Sequence, residues 1–134
     1  MNTINTIYLI DDDDIFKFLT CKVIEETQKV GQIKMFQNGQ TAIDEIRIAI
    51  GCKDDLPELI LLDLSMPIMD GWNFLDEMRL LKPLINSEII IYIVSSTISP
   101  KDIQKVNSYS EVKDYVIKPI TRQKFSDLIN SLVI

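Results

Sequence analysis

The chain has 134 residues, 46% of them hydrophobic and 25% charged, and a formal net charge of -6. This length and composition predict one globular domain, and the acidic balance disfavours direct binding to DNA. No apolar run reaches the roughly 18 residues that span a membrane, and no signal-peptide pattern opens the chain, so we expect a cytoplasmic protein. Histidine is absent, which excludes histidine-based triads, imidazole general bases and histidine-ligated zinc. Cys21 and Cys52 lack metal or redox spacing; we expect both to be reduced, Cys21 on a helix and Cys52 in a loop.

In chain order, five short runs of apolar and β-branched residues alternate with segments of helical spacing. The runs predict strands at Ile7 to Ile10, Ile33 to Phe36, Leu59 to Leu62, Ile89 to Val94 and Tyr115 to Ile117. Apolar stripes predict core-facing helices through Ile15, Phe16, Leu19, Val23 and Ile24, through Ala42, Ile43, Ile46 and Ile50, and through Phe74, Leu75, Met78 and Leu81.

Capping signals predict two more helices. Ser99, Pro100 and Asp102 form an N-cap, a first-turn proline and the acidic member of a capping box, opening a helix that runs to about Tyr109. Thr121 caps a fifth helix that carries its apolar stripe to the end of the chain. That stripe comprises Phe125, Leu128, Ile129 and Leu132.

Strands that are apolar at successive positions are buried on both faces, as in a parallel sheet covered by helices. The chain is therefore predicted to be a single α/β domain of the (βα)5 type, extending over residues 1–134. Right-handed crossovers place the carboxyl ends of all five strands on one edge of the sheet, where ligands of such folds bind.

The residues after the strands are polar at that edge. Asp11 to Asp14 follow the first strand, and Asp63 follows the third. Asp13 and Asp14 fit the N-terminus of the first helix, as a cap and an acidic first-turn residue. If the first and third strands are neighbours, Asp11 and Asp12 point into the same small volume as Asp63. Two carboxylates about 4 Å apart repel by about 4 kcal/mol at an effective dielectric near 20, so the three then demand a cation or a proton. An all-oxygen site of this kind favours Mg²⁺.

Lys118 follows the fifth strand and would bring a second positive charge to the same edge. The alternative interpretation is an ordinary solvated lysine. A metal and a lysine together suit the handling of a phosphoryl group. Asp63 could accept that group as a covalent acyl phosphate, and Ser95 could hydrogen-bond it or serve as a simple turn residue.

Four segments, YLIDDDD, LILLDLSMPIMDGWNFL, IYIVSST and DYVIKPI, occur in this order and together cover essentially the whole chain. With this order and spacing, the chain resembles the receiver domains of two-component response regulators, which share the fold of the chemotaxis regulator CheY. The resemblance implies a doubly wound, flavodoxin-like fold with the strand order 2-1-3-4-5. It also implies a cis bond between Lys118 and Pro119.

The resemblance also assigns roles to the residues at the sheet edge. It makes Asp63 the phosphoacceptor and Lys118 and Ser95 the side chains that engage the phosphoryl group. Mg²⁺, for which Mn²⁺ is a possible substitute, would be bound by Asp12 directly, by Asp11 largely through water, by Asp63, and by the backbone carbonyl of Ser65. Ser95 and Tyr115 would form the switch that remodels the face made by the fourth helix, the fifth strand and the fifth helix.

The resemblance further implies a stand-alone signalling domain, not an enzyme, that takes its phosphoryl group from a histidine kinase or a histidine phosphotransfer protein. We expect no attached output domain, no membrane association and an unidentified downstream protein. The remodelled face could also form a dimer. Three alternatives stay open. They are an aspartyl-phosphate phosphohydrolase of the haloacid-dehalogenase kind, a flavodoxin-like cofactor binder, and a receiver that acts as a scaffold without phosphorylation.

Overall fold

A computed structural model of the chain describes residues 4–52 and 56–132. Strands and helices alternate throughout these residues. The strands are β1 (Ile4–Ile10), β2 (Val30–Phe36), β3 (Leu59–Asp63), β4 (Ile90–Ser95) and β5 (Val112–Ile117). The helices are α1 (Asp14–Thr27), α2 (Gly39–Cys52), α3 (Gly71–Leu81), α4 (Pro100–Asn107) and α5 (Arg122–Leu132), and a short 3-10 helix, Lys82–Leu84, follows α3.

The five strands form one parallel sheet in the order β2-β1-β3-β4-β5. This confirms the predicted (βα)5 fold and its strand order. β1 and β3 are direct neighbours, with Ile10 opposite Leu62 in the register. The residues that follow these two strands therefore emerge side by side at the carboxyl edge of the sheet.

Helices cover both faces of the sheet and bury a separate apolar cluster on each. Side chains of β3 alternate between the two clusters, with Ile60 and Leu62 in one and Leu59 and Leu61 in the other. The first cluster packs the sheet against α2 and α3, and the second packs it against α1 and α5. Burial of β3 on both faces explains why its sequence is apolar at every position before Asp63.

Strand ends differ from the predicted ones by a few residues. β1, β2 and β5 begin three residues earlier than their apolar runs, at Ile4, Val30 and Val112. β2 and β5 are the edge strands of the sheet, so polar residues such as Gln32 and Lys113 extend them while remaining exposed. β4 begins one residue later than predicted, and α4 ends two residues before Tyr109. The predicted extension of the fifth helix to residue 134 lies outside the described residues beyond 132.

The predicted stripe of α1 is partly wrong. Ile15 and Leu19 are 73% and 56% exposed, whereas Phe16 and Ile24 are buried. Phe16, Thr20 and Ile24 form the buried face of the helix. Ile15 and Leu19 lie beside this face and point toward solvent. The expected loop position of Cys52 is also wrong, because it is the last residue of α2. Among the described residues, no helix has the length and hydropathy needed to cross a bilayer.

Candidate functional site

Three carboxylates meet at the carboxyl edge of the sheet. Asp11 follows β1 directly, and Asp63 is the last residue of β3. Because these strands are neighbours, carboxylate oxygens of Asp11, Asp12 and Asp63 lie within 4.8 Å of one another. Asp11 and Asp63 are 1% and 6% exposed, while Asp12 is exposed to solvent. The structure thus brings together the three aspartates that the sequence placed in one acidic cluster.

The other two aspartates of the run serve the helix. Asp13 is the N-cap of α1 and accepts a hydrogen bond from the backbone N–H of Phe16 at 3.0 Å, and Asp14 is the first helical residue. Both predicted structural roles are therefore confirmed. The backbone N–H of Asp13 donates to Oδ1 of Asp11 at 2.9 Å, which fixes the Asp11 carboxylate.

Lys118 reaches this cluster from the end of β5. Its Nζ lies 2.8 Å from Oδ2 of Asp11 and 4.0 Å from Oδ1 of Asp63. The same ammonium lies 4.4 Å from the centre of the Phe16 ring, a cation–π contact. The side chain of Lys118 is only 14% exposed, so the solvated alternative does not describe it.

The environment of Asp63 works against its ionised form. Burial, followed by the charge of Asp11, raises the pKa of Asp63 from 3.8 to about 6. Lys118 and a hydrogen bond from the backbone N–H of Ser65 pull the pKa down, and Asp12 pushes it up. A divalent cation would relieve this repulsion, because it favours the charged carboxylate.

The residues present fit such a cation. Oδ2 of Asp11 is buried and meets no aligned hydrogen-bond donor among the described residues, and its close contact is the ion pair with the Lys118 ammonium at 2.8 Å. One ammonium faces three carboxylates, and the donor set offers oxygen only. Oxygen donors without imidazole or thiolate select a hard ion such as Mg²⁺.

An open cavity of about 570 Å³ adjoins the cluster and gives a substrate group access to it. Asp63, Ser65, Ser95 and Lys118 line this cavity, so four of the predicted site residues share one space. The Ser95 hydroxyl donates to the backbone carbonyl of Thr97 at 2.6 Å, within its own loop. Ser95, one of the two predicted switch residues, therefore lines the site.

Tyr115 and the residues at the start of α3 form the surroundings of the site. Tyr115 is half-buried against the first apolar cluster and stands apart from the cavity. Asp70 caps α3, accepting from the N–H of Asn73 at 2.8 Å. A Cβ on Gly71 would lie 2.6 Å from the backbone oxygen of Asp63, so only glycine lets this loop pass so close to β3. The peptide bond between Lys118 and Pro119 is cis, as the resemblance implies.

Sequence reasoning missed three features of the site. The apolar stripe of the first helix predicts Phe16 only as a core residue, whereas its ring contacts the Lys118 ammonium, and Trp72 lines the cavity. The third is a tight turn in which the N–H of Met69 donates to the carbonyl of Pro67 at 2.7 Å, with Ile68 at φ 69° and 84% exposed. A β-branched residue gives no signal for a left-handed conformation, so this turn was not predictable from residue type.

Comparisons with known proteins agree with this geometry. The chain is 30% identical to a two-component response regulator from Cytophaga hutchinsonii of known crystal structure, with a TM-score of 0.81 and 97% of each chain covered. It is 29% identical to the probable methanogenesis regulatory protein FilR2 of Methanothrix harundinacea, over 91% of this chain and 75% of that protein. It is 26% identical to a protein-glutamate methylesterase/protein-glutamine glutaminase of Clostridium acetobutylicum, covering 95% of this chain but 34% of that enzyme.

The family model for the response regulator receiver domain matches residues 7–130, nearly the whole chain. The matched part contains the acidic cluster, the lysine and the cavity described above. The chain therefore belongs to the response regulator receiver domain family of two-component systems.

Proposed function

We propose that this receiver accepts a phosphoryl group on Asp63 from a histidine kinase or a histidine phosphotransfer protein. The observation that carries the proposal is a buried aspartate, with a pKa raised to about 6, held between two carboxylates and a lysine beside an open cavity. An oxygen of the Asp63 carboxylate attacks phosphorus, the bond from phosphorus to the donor's imidazole nitrogen breaks, and the donor keeps that electron pair. The product is an acyl phosphate.

Each neighbour of Asp63 has a role in this transfer. Asp12, Asp11, Asp63 and the Ser65 carbonyl would hold Mg²⁺, or Mn²⁺ in its place. When bound, the ion supplies positive charge that offsets the charge on the phosphoryl oxygens. Lys118 would add its own positive charge, moving from Asp11 toward the new phosphoryl group.

Ser95 and Tyr115 form the switch in the same proposal. The Ser95 hydroxyl leaves the carbonyl of Thr97, 2.6 Å away in this structure, and donates to the phosphoryl group. Its movement shifts the population toward a second arrangement of the face formed by α4, β5 and α5, with Tyr115 following. That face would then bind an unidentified downstream protein or form a dimer, or the phosphoryl group would pass onward.

The remaining predicted properties belong to the same proposal. The domain acts as a signalling module in the cytoplasm and promotes only its own phosphorylation and dephosphorylation. The methylesterase relative supports no esterase activity here, because this chain covers 34% of that enzyme.

Labelling tests the proposal directly. The protein is incubated with Mg²⁺ and acetyl phosphate, and intact mass is measured for wild type, Asp63→Asn and Asp12→Asn. We expect one phosphoryl group on wild type, none on Asp63→Asn, and slow labelling of Asp12→Asn. Equal labelling of Asp63→Asn would remove Asp63 from its role. No labelling of wild type, with no change in Trp72 fluorescence on adding beryllofluoride, would favour a scaffold that works without phosphate.

A further inference from the structure

The backbone on both sides of Lys118 is held by specific contacts. The N–H of Lys118 donates to the carbonyl of Ser95 at 2.8 Å, which ties the end of β5 to the end of β4. The carbonyls of Ile117 and Pro119 flank Lys118, and one side chain reaches both of them. That side chain is Lys124, whose Nζ donates to the Ile117 oxygen at 2.8 Å and to the Pro119 oxygen at 3.2 Å.

The backbone of Lys124 is held in place at the start of α5. It lies in the first turn of α5, where its backbone N–H donates to the Thr121 hydroxyl oxygen at 3.1 Å. The N–H of Phe125, a fully buried residue, donates to the Thr121 carbonyl at 2.9 Å. The helix start is therefore anchored in the core, and the Lys124 side chain extends from it across the loop.

The position of Lys118 depends on small distances. Its ammonium sits 2.8 Å from Asp11 and 4.0 Å from Asp63, so a shift of about 1 Å in the loop would change which carboxylate it serves. A charged donor shared by two carbonyls is stronger than a neutral one and restrains both peptide units. The restraint applies to the residues on either side of Lys118.

We infer that Lys124 is a positioning residue, which holds the loop between β5 and α5 so that Lys118 faces the acidic cluster. This rests on the function proposed above, in which Lys118 stabilises the transferring phosphoryl group. Lys124 touches no reacting atom in this scheme; it acts through Lys118.

The first test measures the rate of phosphorylation by acetyl phosphate with Mg²⁺. Lys124→Met keeps most of the side chain's length but removes the donor, and we expect it to slow labelling of Asp63 about tenfold, through misplacement of Lys118. Lys124→Arg retains a charged donor and should stay within about twofold of wild type. Arg122→Met is the matched control, because it removes one positive charge from the same helix end, where Arg122 forms an exposed 3.6 Å pair with Glu26.

A double-mutant cycle separates positioning from other effects. In a Lys118→Ala background, Lys124→Met should cause no further slowing, because the residue through which it acts is gone. An equal slowing in both backgrounds would overturn the inference, and so would equal slowing by Arg122→Met, which would assign the effect to lost charge. A normal rate for Lys124→Met would also overturn it. Thermal unfolding of each variant checks that the fold is intact, and Lys124→Gln provides a second variant if Lys124→Met unfolds.

A spectroscopic readout distinguishes failure of this inference from failure of the proposed function. Because Nζ of Lys118 lies 4.4 Å from the Phe16 ring centre, the ring current should shift the ε-methylene protons of Lys118 upfield in wild type. Lys124→Met should return this NMR signal toward its ordinary position, while Arg122→Met should leave it unchanged. This result does not require phosphorylation. An unchanged signal in Lys124→Met would overturn the positioning role whether or not Asp63 is labelled.

Discussion

Replacing Asp63 with asparagine should stabilise the protein in the absence of divalent ions. The substitution keeps the side chain's size but removes the charge that burial and Asp11 oppose. The raised pKa, about 6 in the folded state against 3.8 for an ordinary aspartate, measures that opposition. A carboxyl with a raised pKa stabilises the folded state below its unfolded pKa, and this contribution is lost as the pH rises through 4 to 6.

The magnitude follows from the shift. About two pKa units correspond to about 3 kcal/mol of unfavourable free energy for ionised Asp63 at neutral pH, because one unit is about 1.4 kcal/mol. In a domain of this size that difference raises the melting temperature by about 10 °C. Near pH 5 the stability advantage of Asp63→Asn over wild type should fall to about 1.5 kcal/mol, because the Asp63 carboxyl of the folded wild-type protein is then largely protonated.

Urea unfolding with a chelator present, near pH 7.5 and near pH 5, tests this expectation. Asp44→Asn serves as the control, because Asp44 is an exposed carboxylate on α2 and its loss should change stability by less than about 0.5 kcal/mol. The reasoning fails if Asp63→Asn is no more stable than wild type at neutral pH. It also fails if the stability difference does not shrink on acidification.

Four further outcomes are expected. Mg²⁺ should raise the melting temperature measured by scanning fluorimetry, and Asp12→Asn should lose most of that rise; an unchanged rise would exclude Asp12 as a ligand. Asp13→Ala should cost about 1 kcal/mol in urea unfolding, through loss of the N-cap, yet keep the full response to Mg²⁺. Gly71→Ala should lower the free energy of unfolding by about 1–3 kcal/mol, because its Cβ would lie 2.6 Å from a backbone oxygen. Gly51→Ala, where a Cβ would meet nothing within 4 Å, should instead raise it by about 0.5 kcal/mol. Equal effects of the two substitutions would contradict the packing. Tyr8→Phe should stabilise the fold by about 1 kcal/mol, because the Tyr8 hydroxyl is buried and has no hydrogen-bond partner within residues 4–52 and 56–132. A loss of stability in calorimetry would contradict this.

Much of the fold was predictable because the inner strands carry long apolar runs, of which the run in β3 is the clearest. β3 has no polar residue before Asp63, which is possible only for a strand covered on both faces. The edge strands were harder to delimit, because exposed residues such as Gln32 and Lys113 extend them. Ile15 and Leu19 misled the prediction of the buried face of α1, since periodicity defines an apolar arc but not which part of it meets the sheet.

The acidic cluster was predictable because strand order alone brings the residues after β1 and β3 together. The partner of Lys118 was not, because the choice between Asp11 and Asp63 depends on side-chain reach and on the ring of Phe16. Nor could the hydrogen bond of Ser95 be inferred, since a hydroxyl after a strand has several backbone acceptors within reach. Residue types indicated the chemistry of the site, but which side chains pair with each other depends on distances in the folded structure.

The 2.8 Å pair between Lys118 and Asp11 gives the acidic site a counterion of its own. Under the proposed function, a metal held near Asp11 would draw on the same carboxylate as this ammonium, so metal binding would weaken the ion pair between Asp11 and Lys118. Lys118 would then be free to turn toward Asp63, whose Oδ1 lies 4.0 Å from its Nζ. Metal occupancy and the position of Lys118 would thereby be linked through one shared carboxylate.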